Sequence, residues 1–416
     1  MNVSGLLTWL DTLPAYRALR EDLQAGGSLP PLGLLRAARP ALVAALAGDL
    51  GHPMLLVAGS VERARALYQS VCYWHPDPGR VLRFPEPPAL FYERAPWPRE
   101  TATRRMAVLC RLSSPSAEET QGLVVVASVR ALIQPTLPLR QFRLGTRTLR
   151  VGQSLDLEKR ARRWVGLGYE PVSVVEEPGQ FSHRGGILDV FPPAEPGPVR
   201  IELFGDQVES IRRFDPATQR SQVYLEAVTV TPACEPLPRH GPRVAGELRP
   251  WFDAPHPPEV AEELANHREL LSAGVPFPGL EFYLPYFYSH PASLADYLPA
   301  SGLLVVDDMA QLADSWAEFE EEAVGLRETA EREGTLPPDY PTPCLAWDDW
   351  QEGLADRPLL ILGYGREEAG SDLTACFHPG SRYGGQLGRM LDDVERALLA
   401  GEQVVVVSRQ ARRLAE

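Results

Sequence analysis

Lysine is almost absent from this 416-residue chain, in which Lys159 is the only one among 41 lysine and arginine residues. Schiff-base enzymes and P-loop nucleotidases both need a lysine in a defined setting. Lys159 lies in the charged run 157–163, which predicts an exposed helix face. The sequence therefore predicts that this chain carries out neither kind of chemistry.

Cysteine is also scarce, with five scattered residues and no Cys-x-x-Cys pair. Neither a disulfide framework nor a zinc site is expected, and a reducing cytoplasm is the predicted location. The chain has no His-Glu-x-x-His motif and no Gly-x-Ser-x-Gly elbow of the kind that hydrolases use. We therefore predict no catalytic residue, no metal and no cofactor.

Long apolar runs and a secretory leader are missing as well, so no membrane association is predicted. The formal net charge is −14. An acidic balance argues against a main role in gripping bulk nucleic acid, because phosphate contacts depend on lysine and arginine. Local arginine patches are still compatible with this charge.

Two patterns of hydrophobic residues divide the chain. Continuous apolar runs at 54–59, 122–128 and 302–308, separated by amphipathic helices, predict an α/β domain with a parallel sheet. From about 140 to 230 the pattern alternates, which predicts an inserted α+β domain with an antiparallel sheet. Gly205-Asp206 is expected to form a two-residue hairpin turn there.

The last part of the chain follows a proline-rich linker at 335–343. A strand at 358–363, a helix at 385–400 and a strand at 403–408 predict a small third α/β domain. Because the chain stops directly after a strand, we expect it to be a fragment of a longer protein.

An acidic pair ends the apolar run at 302–308. Asp307 and Asp308 at this position resemble the Mg²⁺-binding strand of helicase-type ATPases, which also need a Gly-rich loop ending in Gly-Lys-Ser/Thr. The corresponding stretch, 33–40, contains Gly33 and Arg36 but no lysine. We therefore predict a degenerate nucleotide site at Gly33, Arg36, Asp307 and Asp308, without ATP hydrolysis.

The strand 199–204 has a polar face with one aromatic residue. Alternation assigns Val199, Ile201 and Leu203 to the core, and Arg200, Glu202 and Phe204 to the other face. An aromatic residue beside an arginine is typical of a protein-binding hot spot. A helix or loop that covers Phe204 is the alternative. Arg184 is expected near this patch if its strand is a neighbour.

The segments 178–193 and 198–216 resemble the region shared by the excision-repair protein UvrB and the bacterial transcription-repair coupling factor. Shorter matches occur at 125–129, 150–153, 279–283 and 381–386. UvrB has an intact phosphate loop and a long aromatic hairpin that clamps damaged DNA, and the region 84–99 is too short for that hairpin. These departures favour the coupling-factor family, of which the chain resembles the front part.

The resemblance implies a helicase-like (RecA-like, P-loop-type) parallel-sheet domain, interrupted by an inserted α+β domain and followed by a small α/β domain. The domains implied are a degenerate UvrB-like domain 1a at 1–140, an inserted UvrA-binding domain 2 at 141–230, a domain 1b completing the first sheet at 231–340, and domain 3 at 341–416.

The resemblance also implies a function. Arg184, Arg200 and Phe204 match the family's UvrA-binding positions, so the chain is expected to recruit UvrA in transcription-coupled nucleotide excision repair and to help restrain the motor. The full-length family protein is an ATP-dependent DNA translocase. Its C-terminal and motor domains are further expected partners, and it contacts RNA polymerase and DNA through regions absent here. The alternative is a UvrB-like protein that binds nucleotide or damaged DNA.

Overall fold

The computed structural model describes residues 2–26, 29–89, 92–114, 116–290, 292–337, 339–354, 357–363 and 372–406. Its strands are β1 (Leu32–Gly33), β2 (Met54–Ala58), β3 (Val81–Phe84), β4 (Val124–Ser128), β5 (Arg147–Arg150), β6 (Glu170–Pro171), β7 (Gln180–Arg184), β8 (Ile187–Val190), β9 (Val199–Phe204), β10 (Gln207–Phe214), β11 (Ser221–Leu225), β12 (Ala227–Val230), β13 (Leu303–Val306) and β14 (Leu359–Gly363).

Helices separate most of these strands. The α-helices are α1 (Pro14–Gln24), α2 (Arg39–Leu50), α3 (Val61–Trp74), α4 (Arg99–Leu112), α5 (Ala117–Thr120), α6 (Val129–Ile133), α7 (Leu139–Gly145), α8 (Leu157–Val165), α9 (Gly241–Glu247), α10 (Arg249–Phe252), α11 (Pro258–Ala273), α12 (Leu284–Phe287), α13 (Met309–Arg332), α14 (Trp347–Glu352), α15 (Asp372–Ala375) and α16 (Leu387–Leu399). Short 3₁₀ helices span Ser4–Thr12, Pro78–Arg80, Pro238–His240, Leu280–Tyr283 and Leu294–Tyr297.

The first sheet is parallel, in the order β1-β14-β13-β2-β4-β3. Every residue of β2, β4 and β13 is buried, because helices cover both faces of the sheet. This confirms the parallel sheet predicted from the continuous apolar runs. The strand β13 pairs with β2, although a long stretch of chain separates it from the earlier strands of this sheet. More than 170 residues lie between β4 and β13.

The strand β14 corrects one expectation. The sequence assigned the apolar run 358–363 to a separate small domain beginning at 341, but β14 pairs with β13 on one side and with β1 on the other. Since β13 would otherwise leave an edge of backbone N–H and C=O groups unpaired, an apolar strand that follows it is drawn into the same sheet. An apolar run alone does not indicate which sheet it joins.

The second sheet has the order β11-β10-β9-β8-β7-β6 and is antiparallel except between β6 and β7. It lies in the segment between β4 and β13, as the alternating pattern predicts. The strands β5 and β12, which precede and follow this sheet in the chain, pair with each other. Gly205 and Asp206 form the predicted two-residue connection between β9 and β10, and Gly205 has a φ of 63°, which suits glycine.

Residues 375–416 form a unit of their own. Its helix α16 agrees with the helix predicted at 385–400. The strand predicted at 403–408 is not present at Gln403–Val406, which have irregular backbone, and residues 407–416 lie outside the described part of the chain. Within the described residues, no helix combines the length and apolar character needed to cross a membrane.

Candidate functional site

The polar face of the antiparallel sheet carries the first candidate site. Alternation along β9 buries Val199 and Ile201 completely and turns Phe204 outward, where 81% of it is exposed. Phe204 ends β9 directly before the hairpin turn. The alternative that a helix or loop covers this ring does not apply in the structure.

Arg200 lies on the same face and is held in place by Asp189. The two residues are opposite each other on β9 and β8, and Arg200 Nε and Nη2 each donate to one carboxylate oxygen at 2.8 Å. The guanidinium also lies 4.8 Å from the centroid of the Phe214 ring. The hydrogen bond to Asp189 raises the pKa of Arg200, so this arginine is charged and fixed.

Arg184 and Ile187 complete this face. They are opposite each other on β7 and β8, and Ile187 is also opposite Glu202 on β9. Arg184 donates to the hydroxyl of Ser182 at 3.3 Å and to the carbonyl of Ser173. The structure therefore places Arg184 on β7 and Arg200 and Phe204 on β9, on one face of the sheet, with β8 between the two strands. We call Arg184, Ile187, Arg200 and Phe204 the outer face.

Sequence reasoning missed two exposed apolar residues, Ile187 on the outer face and Tyr224 on β11. Ile187 is 37% exposed, and Tyr224 on β11 is 73% exposed beneath the guanidinium of Arg212, 5.6 Å away. Arg212 is opposite Tyr224 on one side and opposite Arg200 on the other. Alternation from Asp189 assigns Ile187 to this face, whereas Tyr224 can be placed only when the register of β10 and β11 is known.

The second candidate site lies at the carboxyl ends of the parallel strands. Gly33 ends β1, where it is opposite Gly363 of β14. Arg36 lies exposed in the turn that follows, and Arg39 is the first residue of α2. Counting from Gly33, Arg39 stands where the lysine of a Gly-x-x-x-x-Gly-Lys motif would stand, and Ala38 stands at its second glycine.

Arg39 is completely buried and bonded to three strand ends. Its Nε donates to the carbonyl of Leu34 at 3.0 Å, its Nη2 to the carbonyl of Gly363 at 3.0 Å, and its Nη1 to Asp307 Oδ1 at 3.0 Å. Arg63 of α3 approaches Asp307 from the other side, with contacts of 2.7 Å and 2.9 Å. Both oxygens of the Asp307 carboxylate are therefore engaged by arginine.

The charge of Asp307 is stabilised by these partners. Burial by itself raises the pKa of Asp307, but the hydrogen bonds and charges of Arg63 and Arg39 outweigh it and hold the pKa below its usual value. At the site predicted from Gly33, Arg36, Asp307 and Asp308, the carboxylate of Asp307 is thus held by the buried Arg39 and the partly exposed Arg63. Sequence reasoning missed Arg39, although the spacing from Gly33 could have identified it.

Asp308 has a different role from its neighbour. Its carboxylate accepts a hydrogen bond from the backbone N–H of Gln311 at 3.2 Å and caps the N-terminus of α13. The described residues contain no cluster of three or more histidine, cysteine, aspartate or glutamate side chains that could hold a metal ion.

Comparison with known proteins places these sites in a family. The model of the UvrB interaction domain matches residues 148–235, which include the antiparallel sheet. The transcription-repair-coupling factor of Myxococcus xanthus is 35% identical over 316 residues, 72% of this chain and 26% of that protein. Those of Bacillus subtilis (strain 168) and Mycobacterium tuberculosis (strain CDC 1551 / Oshkosh) are 30% and 31% identical over 317 and 316 residues, in each case 74% of this chain.

These matches span only part of the relatives. The chain covers about a quarter of the length of the curated proteins it matches, between 25% and 26% for the three named. The family resemblance stated from the residues at 178–193 and 198–216 is confirmed. The chain belongs to the transcription-repair-coupling factor family, as an N-terminal module that contains a UvrB interaction domain.

Proposed function

We propose that this chain is the UvrA-docking module of a transcription-repair-coupling factor and acts in transcription-coupled nucleotide excision repair. The observation that carries the proposal is the exposed Phe204 ring on the same sheet face as Arg184 and Arg200, within the matched UvrB interaction domain. Arginines and buried aromatic rings commonly supply most of the binding energy of an interface. An aromatic ring that is 81% exposed in the free module gains favourable burial when a partner covers it.

The fixed position of Arg200 supports the same proposal. Because Asp189 already orients the guanidinium, little side-chain entropy is lost when a partner carboxylate or carbonyl binds it. Arg184 is similarly held by Ser182 and Ser173. The outer face is thus preorganised for binding, with Phe204 as its apolar centre.

The second part of the proposal is that this module binds without hydrolysing ATP. Its parallel sheet then derives from a helicase-like nucleotide-binding domain, in which Arg39 replaces the phosphate-binding lysine. The contacts of Arg39 and Arg63 with Asp307 support this, because they occupy the carboxylate that would otherwise serve Mg²⁺. The DNA translocase activity of the full-length protein belongs to other domains in this proposal.

In the full-length protein, we further propose that the module helps to restrain the motor while the C-terminal domain covers the outer face. The family resemblance supports this step. A full-length protein should then bind UvrA more weakly than the chain 1–416. Equal binding by both would contradict masking of the outer face.

Calorimetry with purified UvrA tests the docking proposal. F204A should weaken binding at least about tenfold, in the range of interface hot spots. Y73A is the matched control, because Tyr73 is likewise an exposed aromatic residue but lies on α3, outside the matched UvrB interaction domain. Undiminished binding by a variant combining R184A, R200A and F204A would overturn the proposal. ATP turnover by the chain would favour the alternative of a UvrB-like nucleotide-binding repair protein.

A further inference from the structure

A groove rich in arginine lies beside β3, the edge strand of the parallel sheet, and none of the outer-face residues is among its described lining residues. Its volume is about 630 Å³. The residues that line it come from α3, the edge strand β3, α4 and the loop after β8: Arg65, Tyr68, Gln69, Gly79, Leu82, Arg83, Arg104, Ala107, Val108, Arg111 and Ala194. Four of these described lining residues are arginine and none is acidic, although the chain has a net charge of −14.

Helical spacing builds the two walls of this arginine groove. Arg65, Tyr68 and Gln69 are at positions i, i+3 and i+4 of α3, and so share one face of that helix. Arg104 and Arg111 are seven residues apart on α4, which places them on one face about 10 Å apart along the axis. The lining also includes small or aliphatic residues, among them Leu82 of β3 and Ala107 and Val108 of α4.

The arginines of the groove are only partly neutralised. Arg83 contacts Glu86 at 2.5 Å and Arg104 contacts Glu100 at 2.6 Å, while Arg111 donates to the backbone carbonyl of Glu119. The Nε atoms of Arg83 and Arg111 are buried and have no hydrogen-bond partner within the structure. A guanidinium whose hydrogen bond goes to a neutral carbonyl, as in Arg111, keeps its positive charge and can attract an anion to the groove.

The hydroxyl of Tyr68 on α3 is influenced by arginines from α4 and from β3. Burial raises the pKa of this hydroxyl, as does the neighbouring Cys72, whereas the charges of Arg104 and Arg83 act in the opposite direction. The two guanidinium groups, from α4 and β3, are therefore close to a hydroxyl on α3. An anion between the walls would meet several donors at once.

We propose that the arginine groove binds the phosphate backbone of nucleic acid. Guanidinium groups match phosphate oxygens in a bidentate manner. An acidic peptide would meet the same guanidinium groups, and competition with polyglutamate distinguishes it from nucleic acid.

This site gives the module a direct contact with nucleic acid, which the acidic composition did not suggest. Binding is expected to be weak and independent of sequence, because backbone phosphates carry no sequence information. The net charge of −14 opposes long-range attraction, so the groove serves a nucleic acid that is already held nearby.

Fluorescence anisotropy with labelled single-stranded and duplex DNA at about 50 mM salt tests the proposal. The variant R65Q/R104Q changes two exposed residues of the groove and should weaken binding about tenfold, with a salt slope lower by about one to two. R162Q/R249Q removes the same charge from exposed positions on α8 and α10 and is the matched control. Equal weakening by the control would mean that only total charge matters, and would overturn the proposal.

Competition experiments separate the possible anions. Unlabelled oligonucleotide should displace the labelled DNA, while pyrophosphate and polyglutamate at equal charge concentration should not. A site that takes pyrophosphate but no oligonucleotide, or polyglutamate as well as oligonucleotide, would contradict a nucleic-acid site. Absence of DNA binding at low salt would do the same. R65Q/R104Q should bind UvrA normally, and F204A should bind DNA normally. The proposals for the arginine groove and for the outer face can therefore be confirmed or contradicted independently.

Discussion

Arg200 and Asp189 are joined across β9 and β8 by two hydrogen bonds of 2.8 Å, and only 3% of Asp189 is exposed. This pair joins a buried carboxylate of the sheet to an arginine of the outer face. Arg200 lies on the outer face, but the carboxylate that orients it is buried in the fold. Phe204, by contrast, makes its contribution almost entirely outside the core.

The two residues should therefore differ in what their removal does to folding. R200A leaves the Asp189 carboxylate buried without its partner, so it should lower the free energy of unfolding by about 1–3 kcal/mol. F204A should change the free energy of unfolding by less than about 0.5 kcal/mol, because its ring is exposed. Urea unfolding of both variants at pH 7 measures this. A loss of stability in F204A as large as that in R200A would contradict the assignment.

The outer face shows which features can be predicted from the sequence and which cannot. Alternation along β9 predicts that Phe204 is exposed, because the period of a strand is a local property. The partner of Arg200 could not be predicted in this way, since Asp189 meets it only through the pairing of β8 with β9. Tyr224 was missed for the same reason.

The nucleotide-like site shows a different limit. The sequence identified Asp307 and the missing lysine, but selected Arg36 as the basic residue of the site. The contacts with Asp307 come from Arg39 and Arg63, which are 268 and 244 positions away from it in the chain. Ion pairs at such distances depend on how the sheet brings its strand ends together, which composition and local spacing do not reveal. The placement of β14 in the parallel sheet could not be predicted for the same reason, because it also depends on how distant strands pair.

Replacing Arg39 should be costly. R39A removes hydrogen bonds to Leu34, Gly363 and Asp307 and leaves a buried carboxylate with Arg63 as its remaining arginine partner. Breaking a buried pair in this way typically lowers stability by about 3–5 kcal/mol. Thermal and urea unfolding measure the loss, and R36A in the exposed turn is the control, with an expected loss below about 1 kcal/mol. Similar losses for the two variants would rule out a special role for Arg39.

Gly168 offers a test of close packing between α8 and the end of the inserted segment. It has a φ of +93°, and a Cβ built at this position would lie 2.2 Å from Cys234 Sγ. G168A should therefore lower stability through both backbone strain and overlap, by about 2–4 kcal/mol. Gly152 separates the two effects, because its φ is +83° and nothing lies within 4 Å of its Cβ position. If G152A loses as much stability as G168A, overlap with Cys234 contributes nothing.

Glu281 is a buried carboxyl group with an unpartnered oxygen. Its Oε2 has no hydrogen-bond partner in the structure. Burial raises its pKa from 4.5 to about 7, and the charge of Glu235 acts in the same direction, although backbone N–H groups of Glu281 and Trp97 oppose the shift. The folded protein therefore holds a proton on Glu281 that the unfolded chain has lost at pH 6.

The stability of the chain should depend on pH through this proton. The folded state binds more protons than the unfolded state between about pH 4.5 and 7, so the contribution of Glu281 is fully present below pH 4.5 and is lost as pH rises through about 7. The loss at pH 8 is about 3 kcal/mol for a shift of this size.

E281Q keeps the shape of the neutral carboxyl, so the variant should be more stable than the parent at pH 8 and differ little at pH 5. His240 and His267, whose pKa values are lowered by burial, act with the opposite sign in this range but cancel in the difference between the two proteins. Urea unfolding of both proteins at pH 5, 6, 7 and 8 measures that difference, and a value independent of pH would show that Glu281 is ionised in the folded state throughout.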